Sequence, residues 1–191
     1  MLARLVKYWV YGGFLSGWVL LFLTPLIARF WSAPQIAIYV LLPIYMLHQY
    51  EEHDEDRFRQ SLNRVLGKGK EVLSPLAVFV INVPGVWGIL VLSLYLALWV
   101  NLGLGLIAVY LTLVNAVVHL IHAVIFRSYN PGLLTAILLF VPFGGYGFWQ
   151  IESAGAGTIL FHVVGLVTAI AIHVAILLHV RSRMLGLNRA T

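Results

Sequence analysis

Six stretches of this chain approach or exceed the length needed to cross a bilayer, and that recurring pattern limits its fold more than any single motif does. A spanning helix needs about 20 predominantly apolar residues. Runs of this kind lie at 8–28, 34–50, 72–99, 103–126, 132–151 and 157–180. In hydrocarbon every backbone N–H and C=O must find a partner within the protein, so runs like these fold as α-helices. The expected fold class is therefore all-α: a polytopic membrane bundle of about six transmembrane helices, one integral domain over residues 1–191. No hydrophilic stretch is long enough to build a second core. Composition agrees, with 61% hydrophobic and 10% charged residues, where a soluble domain is about half apolar and about a quarter charged.

Individual runs carry further signals. The first is longer than a signal-peptide core and is followed by Arg29 and Trp31, so it reads as a retained span. The second is short and passes directly into polar sequence, which extends the helix toward the interface. The third contains "INVPG", where Pro84 removes a backbone donor and predicts a kink. Basic residues set the orientation. Arg4 and Lys7 precede the first run; Arg57, Arg59, Arg64, Lys68 and Lys70 follow the second; Arg127 follows the fourth; Arg181, Arg183 and Arg189 follow the sixth. With both termini cytoplasmic, all the basic residues except Arg29 lie inside, as the positive-inside rule requires. The expected location is a bacterial inner (plasma) membrane, embedded in the lipid bilayer, and the net charge of +5 reflects this asymmetry and not a nucleic-acid partner. The absence of cysteine excludes disulfides, thiolate metal sites and cysteine nucleophiles.

Against this apolar background the segment "MLHQYEEHDEDRFRQ", residues 46–60, stands apart. Five of the seven acidic residues fall between Glu51 and Asp56. His48, Glu51 and Glu52 are spaced i, i+3, i+4 and share a helical face. Asp54, Glu55 and Asp56, with Arg57 and Arg59, read as a hydrated loop of mixed charge. In the fourth run Asn115, His119 and His122 follow i, i+4, i+7, again one face. His173 in the sixth run lies eight residues before Arg181, as His119 does before Arg127, so both sit about 12 Å inside the same membrane face at 1.5 Å per residue. Three helices thus carry ionisable groups into the cytoplasmic half of the bundle, where polar groups need partners or a function. His162, Gln150 and Glu152 belong to the opposite half. Pro131–Gly132 in "SYNPG" suits the two central positions of a type II turn.

"HQYEE" (His48 to Glu52), "NAVVH" (Asn115 to His119) and "YNPG" (Tyr129 to Gly132) resemble, in the same order, the HxxEE, NAxxH and YxPG motifs of the HXXEE-domain family. The resemblance covers roughly residues 36–180. It implies that His48, Glu51, Glu52, Asn115, His119, Tyr129, Pro131 and Gly132 are signature residues, and it implies no particular reaction. His122 and His173 are candidates from spacing and depth alone.

Imidazoles and carboxylates are ligands of zinc and, as alternatives, of iron or manganese. Helical bundles build such sites from His and Glu on facing helices. The candidate ligands of a divalent metal, zinc first, are His48, Glu51, Glu52, His119, His122 and His173. The candidate catalytic groups are Glu51, Glu52 and Asn115, with one glutamate as ligand, the other as general base, and the asparagine on a substrate carbonyl. This predicts a metal-dependent hydrolase acting on a lipid-soluble or membrane-bound substrate. Two alternatives stay open: a metal-independent hydrolase in which a carboxylate activates water, and a metal or proton transporter. The clustering of polar groups at one membrane face speaks against a through-path.

Overall fold

The structure, a computed structural model, describes residues 1–189. The side chain of Arg189, counted above among the basic residues, lies outside the described residues. Among the described residues there are helices and loops and no strand. We number the helices α1 (Leu2–Ile27), α2 (Ala33–His53), α3 (Arg57–Val65), α4 (Pro75–Trp99), α5 (Leu102–Phe126), α6 (Leu133–Ser153) and α7 (Ile159–Arg189). Five of them, α1, α4, α5, α6 and α7, are long and apolar enough to cross a membrane. α2 is not among these five, although its 21 residues span about 30 Å at 1.5 Å per residue.

α2 differs in being enclosed by the other helices of the chain. α1, α4, α5 and α6 all pack against it, and Ile38, Leu41, Ile44, Tyr45, His48 and Gln49 are buried along its length. α1 and α7 are peripheral. A helix enclosed in this way needs no uniformly apolar surface, so its polar end can be solvated by its neighbours. It starts where the Ser32 N–H donates to the Gln35 side chain at 2.9 Å, with Pro34 in the first turn. It stops at His53, because Glu55 and Asp56 take left-handed backbone conformations (φ 53° and 63°). That costs about 1–2 kcal/mol per non-glycine residue. The acidic cluster offsets this cost with ion pairs: Asp54 to Arg57 at 2.7 Å, Asp56 to Arg59, and Arg59 onward to Glu71 at 2.9 Å. The chain then turns back as α3, an amphipathic helix lying across the end of the bundle.

The break expected at Pro84 takes a specific form. Ile81–Trp87 is a π-helical turn, and a second one, Ala136–Phe140, precedes Pro142 in α6. A proline cannot donate to the carbonyl four residues earlier, and a wider turn relieves the ring clash without breaking the helix. The first wide turn is fastened to α2 by buried amides. The Gln49 amide donates to Asn82 at 2.8 Å and accepts from the Trp87 indole at 2.5 Å, while the Asn82 amide donates to the Val78 carbonyl at 2.9 Å.

α5 and α7 meet closely at Gly165. A Cβ there would lie 2.7 Å from the Leu106 carbonyl oxygen and 2.8 Å from the Tyr110 ring, so a side chain would have to push the two helices apart. Gly165→Val should therefore destabilise the detergent-solubilised protein by about 1–3 kcal/mol, the usual cost of overpacking, read as a lower thermal midpoint. Gly88→Ala, at a helical glycine with open space around it, should leave the midpoint unchanged or raise it by the equivalent of about 0.5–1 kcal/mol.

Candidate metal centre

Three side chains from two helices converge at the end of the bundle near α3. His48 and Glu52 come from successive turns of α2, and His119 comes from α5. His48 Nε2 lies 3.6 Å from one Glu52 oxygen and His119 Nε2 lies 3.6 Å from the other. One ligand atom from each residue falls within 4.8 Å of the other two, and all three residues are buried. The imidazole planes meet edge to face, with centroids 5.0 Å apart.

The protons on these rings follow from their partners. Thr135 donates its single hydroxyl proton to Glu51 Oε2 at 2.5 Å, because a carboxylate can only accept. The same hydroxyl lies 2.8 Å from His48 Nδ1, so it accepts there and the histidine donates from Nδ1. Asn130 donates its amide to the His119 backbone carbonyl at 3.0 Å, which turns its Oδ1 toward His119 Nδ1 at 2.6 Å. His119 therefore also carries its proton on Nδ1. With both rings neutral, each Nε2 is a lone pair facing the Glu52 carboxylate, and His48 Nε2 is buried with no hydrogen-bond partner. Three acceptors then face one another. A cation satisfies that arrangement. Two ligand atoms about 2.1 Å from a tetrahedral zinc are about 3.4 Å apart, close to the separations found. Fixing the tautomer of a ligand histidine through its second nitrogen is the usual outer support of such a site.

Glu51 lies outside this group. Its carboxylate accepts from the Thr135 hydroxyl, the Tyr129 hydroxyl at 2.5 Å, and the backbone N–H groups of Leu134 and Thr135 at 3.2 and 2.7 Å. It thus caps the exposed donors in the first turn of α6. Spacings of i+3 and i+4 from His48 fall on either side of one helical face, and the two glutamates diverge accordingly.

The "YNPG" segment closes the site from the other side. The Leu133 N–H bonds to the Asn130 carbonyl at 3.1 Å, with Pro131 and Gly132 at the centre of the turn and Gly132 at φ +96°. A Cβ on Gly132 would lie 2.6 Å from His119 Cε1 and 2.9 Å from His48 Cε1. The turn rests on both imidazoles, and glycine is required for its space as well as its backbone angle.

Asn115, His122 and His173 do not reach the three-residue group. They line a mainly apolar cavity of about 250 Å³ that also touches Glu52 and His119. Asn115 Oδ1 and His122 Nδ1 are buried without partners, and His173 donates from Nδ1 to the Ala169 carbonyl at 2.8 Å, which leaves its Nε2 as an acceptor. His53, from the acidic segment and only a minor candidate on its sequence, places Nε2 3.1 Å from Glu52 Oε2. Two contributors were not singled out from sequence: Thr135 and Asn130, which orient the two histidines. Polar residues beside turns are too common for their spacing to have marked them, although Asn130 sits at the variable position of the "YNPG" motif. His162 lies elsewhere, between Tyr110 and Glu152, at 2.9 Å from each.

Fold and site together define a helical bundle of membrane-spanning character, with a buried His–Glu–His group that could hold a metal ion. The chain belongs to the family described as "Protein of unknown function with HXXEE motif", whose model matches residues 39–147. No curated protein and no solved structure matches it.

Tyr129 gives a direct reading of the outer support. Partial burial, together with the hydrogen bond to Glu51 and the charge of that carboxylate, pushes its hydroxyl up to about 12 from an ordinary 10.0. The folded state therefore favours the neutral phenol. This contribution to stability is present below pH 10 and is lost as the pH rises through 12. The ultraviolet difference titration between the wild type and Tyr129→Phe should show a phenol with its midpoint near 12, and Glu51→Gln should bring that midpoint down toward 10.0.

Proposed function

We propose that this protein is a membrane-embedded metal-dependent hydrolase, with a divalent ion, zinc first, held by His48 Nε2, His119 Nε2 and Glu52. The observation that carries this reading is the set of three facing acceptors with both histidine tautomers fixed to leave lone pairs inward. Two histidines and one glutamate form a catalytic zinc set that keeps a position open, and here the cavity adjoins that position. The ion would supply Lewis acidity toward a carbonyl oxygen and an activated water.

The remaining steps fall to the chain's own side chains. Asn115 binds and orients the substrate carbonyl from the cavity wall. The water oxygen adds to the carbonyl carbon, the bond to the leaving oxygen or nitrogen breaks, and a carboxylic acid and an alcohol or amine result. His122, with an unpartnered ring nitrogen on the same wall, carries the proton from the water to the leaving group. Glu51 acts through Thr135, holding His48 in the ligating tautomer. His173 borders the substrate space, and His53 donates to Glu52.

Six spans with both termini cytoplasmic complete the proposal, α2 being the sixth, in an inner (plasma) membrane. Gln60 is exposed in α3, and the chain has no cysteine, so a single Gln60→Cys variant reports the side on which α3 lies. A membrane-impermeant maleimide should label it only in inverted vesicles. Labelling from the outside of intact cells would reverse the orientation.

Protein purified without chelator should hold one divalent ion per chain by elemental analysis. His48→Gln, His119→Gln and Glu52→Gln should each lose it, and the double histidine variant should lose little more, since one site cannot be broken twice. Thr135→Val and Glu51→Gln should keep the ion with affinity weakened about 10–100-fold, as expected for supports of ligands. His162→Gln should retain it fully. Active protein without stoichiometric metal would replace this reading with Glu52 acting directly as the base.

A further inference from the structure

The cavity beside the His–Glu–His group has a shape and composition that specify what can enter it. Its depth is formed by Tyr45, Val86 and Leu111, and α3 covers it with Phe58, Leu62 and Val65. Its polar lining includes Glu52 from α2, Asn115, His119 and His122 from α5 and His173 from α7, and no lysine or arginine lines it. α5 and α7 touch through backbone at Gly165 and Leu106. Further toward α3 both helices line the cavity, α5 at Val118 and His122, α7 at Ile172 and Ile176. The cavity thus follows the α5–α7 pair away from that contact. Its outer edge on these helices is apolar and faces outward, with Val118, Phe126 and Leu177 46%, 50% and 58% exposed. In a bundle surrounded by lipid, an outward apolar rim opens onto acyl chains, not onto water.

We propose that this cavity seats one hydrocarbon chain of a neutral single-chain amphiphile, which enters sideways between α5 and α7 from the leaflet beside α3 and brings an ester or amide carbonyl to Glu52, His119 and Asn115. The fate of that carbonyl rests on the hydrolytic reading above; the seat for the chain rests on the cavity. The volume of about 250 Å³ lies just below the range of about 300–1,000 Å³ usual for ligand sites, which favours a single chain. A phosphate head has no cationic side chain to meet it along the lining, which favours a neutral head. The partnerless Asn115 Oδ1 and His122 Nδ1 are where an amide N–H or a hydroxyl of that head would bond.

The test uses full-length protein in phosphatidylcholine vesicles containing a monoacylglycerol with a diazirine at the end of its chain. After photolysis, peptide mass spectrometry should find label on Tyr45, Val86 or Leu111, which bulk lipid does not reach because they are 2%, 5% and 0% exposed. Excess unlabelled monoacylglycerol should remove that label. Leu111→Trp, filling the depth, should abolish it while metal content stays at the wild-type level, and Val118→Trp at the rim should abolish it if Leu111→Trp does not fold. Label confined to outward residues such as Leu138 and Ile170, or depth label indifferent to both substitutions, overturns the proposal. Metal is measured on the same samples. Depth labelling in protein that binds no metal supports the chain seat while removing the metal-dependent reading, and stoichiometric metal without depth labelling removes the chain seat alone.

Discussion

The rest of the site depends on a buried carboxylate, that of Glu52, facing two imidazole lone pairs. Taking a carboxylate out of water costs several kcal/mol even after relaxation, and a donor from His53 alone satisfies only part of its accepting capacity. The surrounding residues increase the local excess of negative potential by turning both ring protons away from Glu52. Thr135 and Asn130 hold those protons, and Glu51 decides the direction of the Thr135 hydroxyl. A scaffold that only needed to stabilise Glu52 would have turned the ring N–H groups of His48 and His119 toward it as well as that of His53. The reverse arrangement is the physical argument for a cation at this place.

The same group explains why α2 sits where it does. A helix ending in two histidines and two glutamates cannot present that end to hydrocarbon, so the bundle encloses it. Enclosure in turn sets the shape of the neighbours. The π-helical turn in α4 carries Asn82 to Gln49, and the one in α6 places Phe140 against the His48 ring at 4.1 Å. Both widened turns precede or contain a proline within a long apolar helix, so local irregularity and site support come from the same residues.

Much of this was legible in the sequence. The apolar runs follow from length alone, and the observed helices begin and end within a few residues of them; the larger differences are at the chain ends, where α1 starts at Leu2 and α7 continues to Arg189. The pairing of the second and fourth runs through His48, Glu52 and His119 followed from helical spacing and common depth. The division of labour between Glu51 and Glu52 did not. Both lie one turn from His48, and what separates them is the first turn of α6, a partner 84 residues away from Glu51 at Thr135. Asn130 and Thr135 were equally hidden, because their importance lies in which ring nitrogen they meet. The central position of α2 was also unreadable, since a short apolar run with a polar end reads equally as a helix that ends at the membrane interface.

Glu51 capping the start of α6 also bears on how the protein is made. The ribosome makes α2 before α6 exists, so for that interval Glu51 lacks its native partners, whereas Glu52 has part of its own in His48 and His53 on the same helix. The two N–H groups that Glu51 accepts from, the hydroxyl that orients His48 and the glycine turn over both imidazoles all arrive together, between Gly132 and Thr135 at the start of α6. Completion of the site is therefore a late and single event in biogenesis. A chain arrested or truncated before residue 135 would leave the Glu51 carboxylate without its Thr135 partners, the kind of defect by which quality-control proteases distinguish an unfinished protein from a finished one.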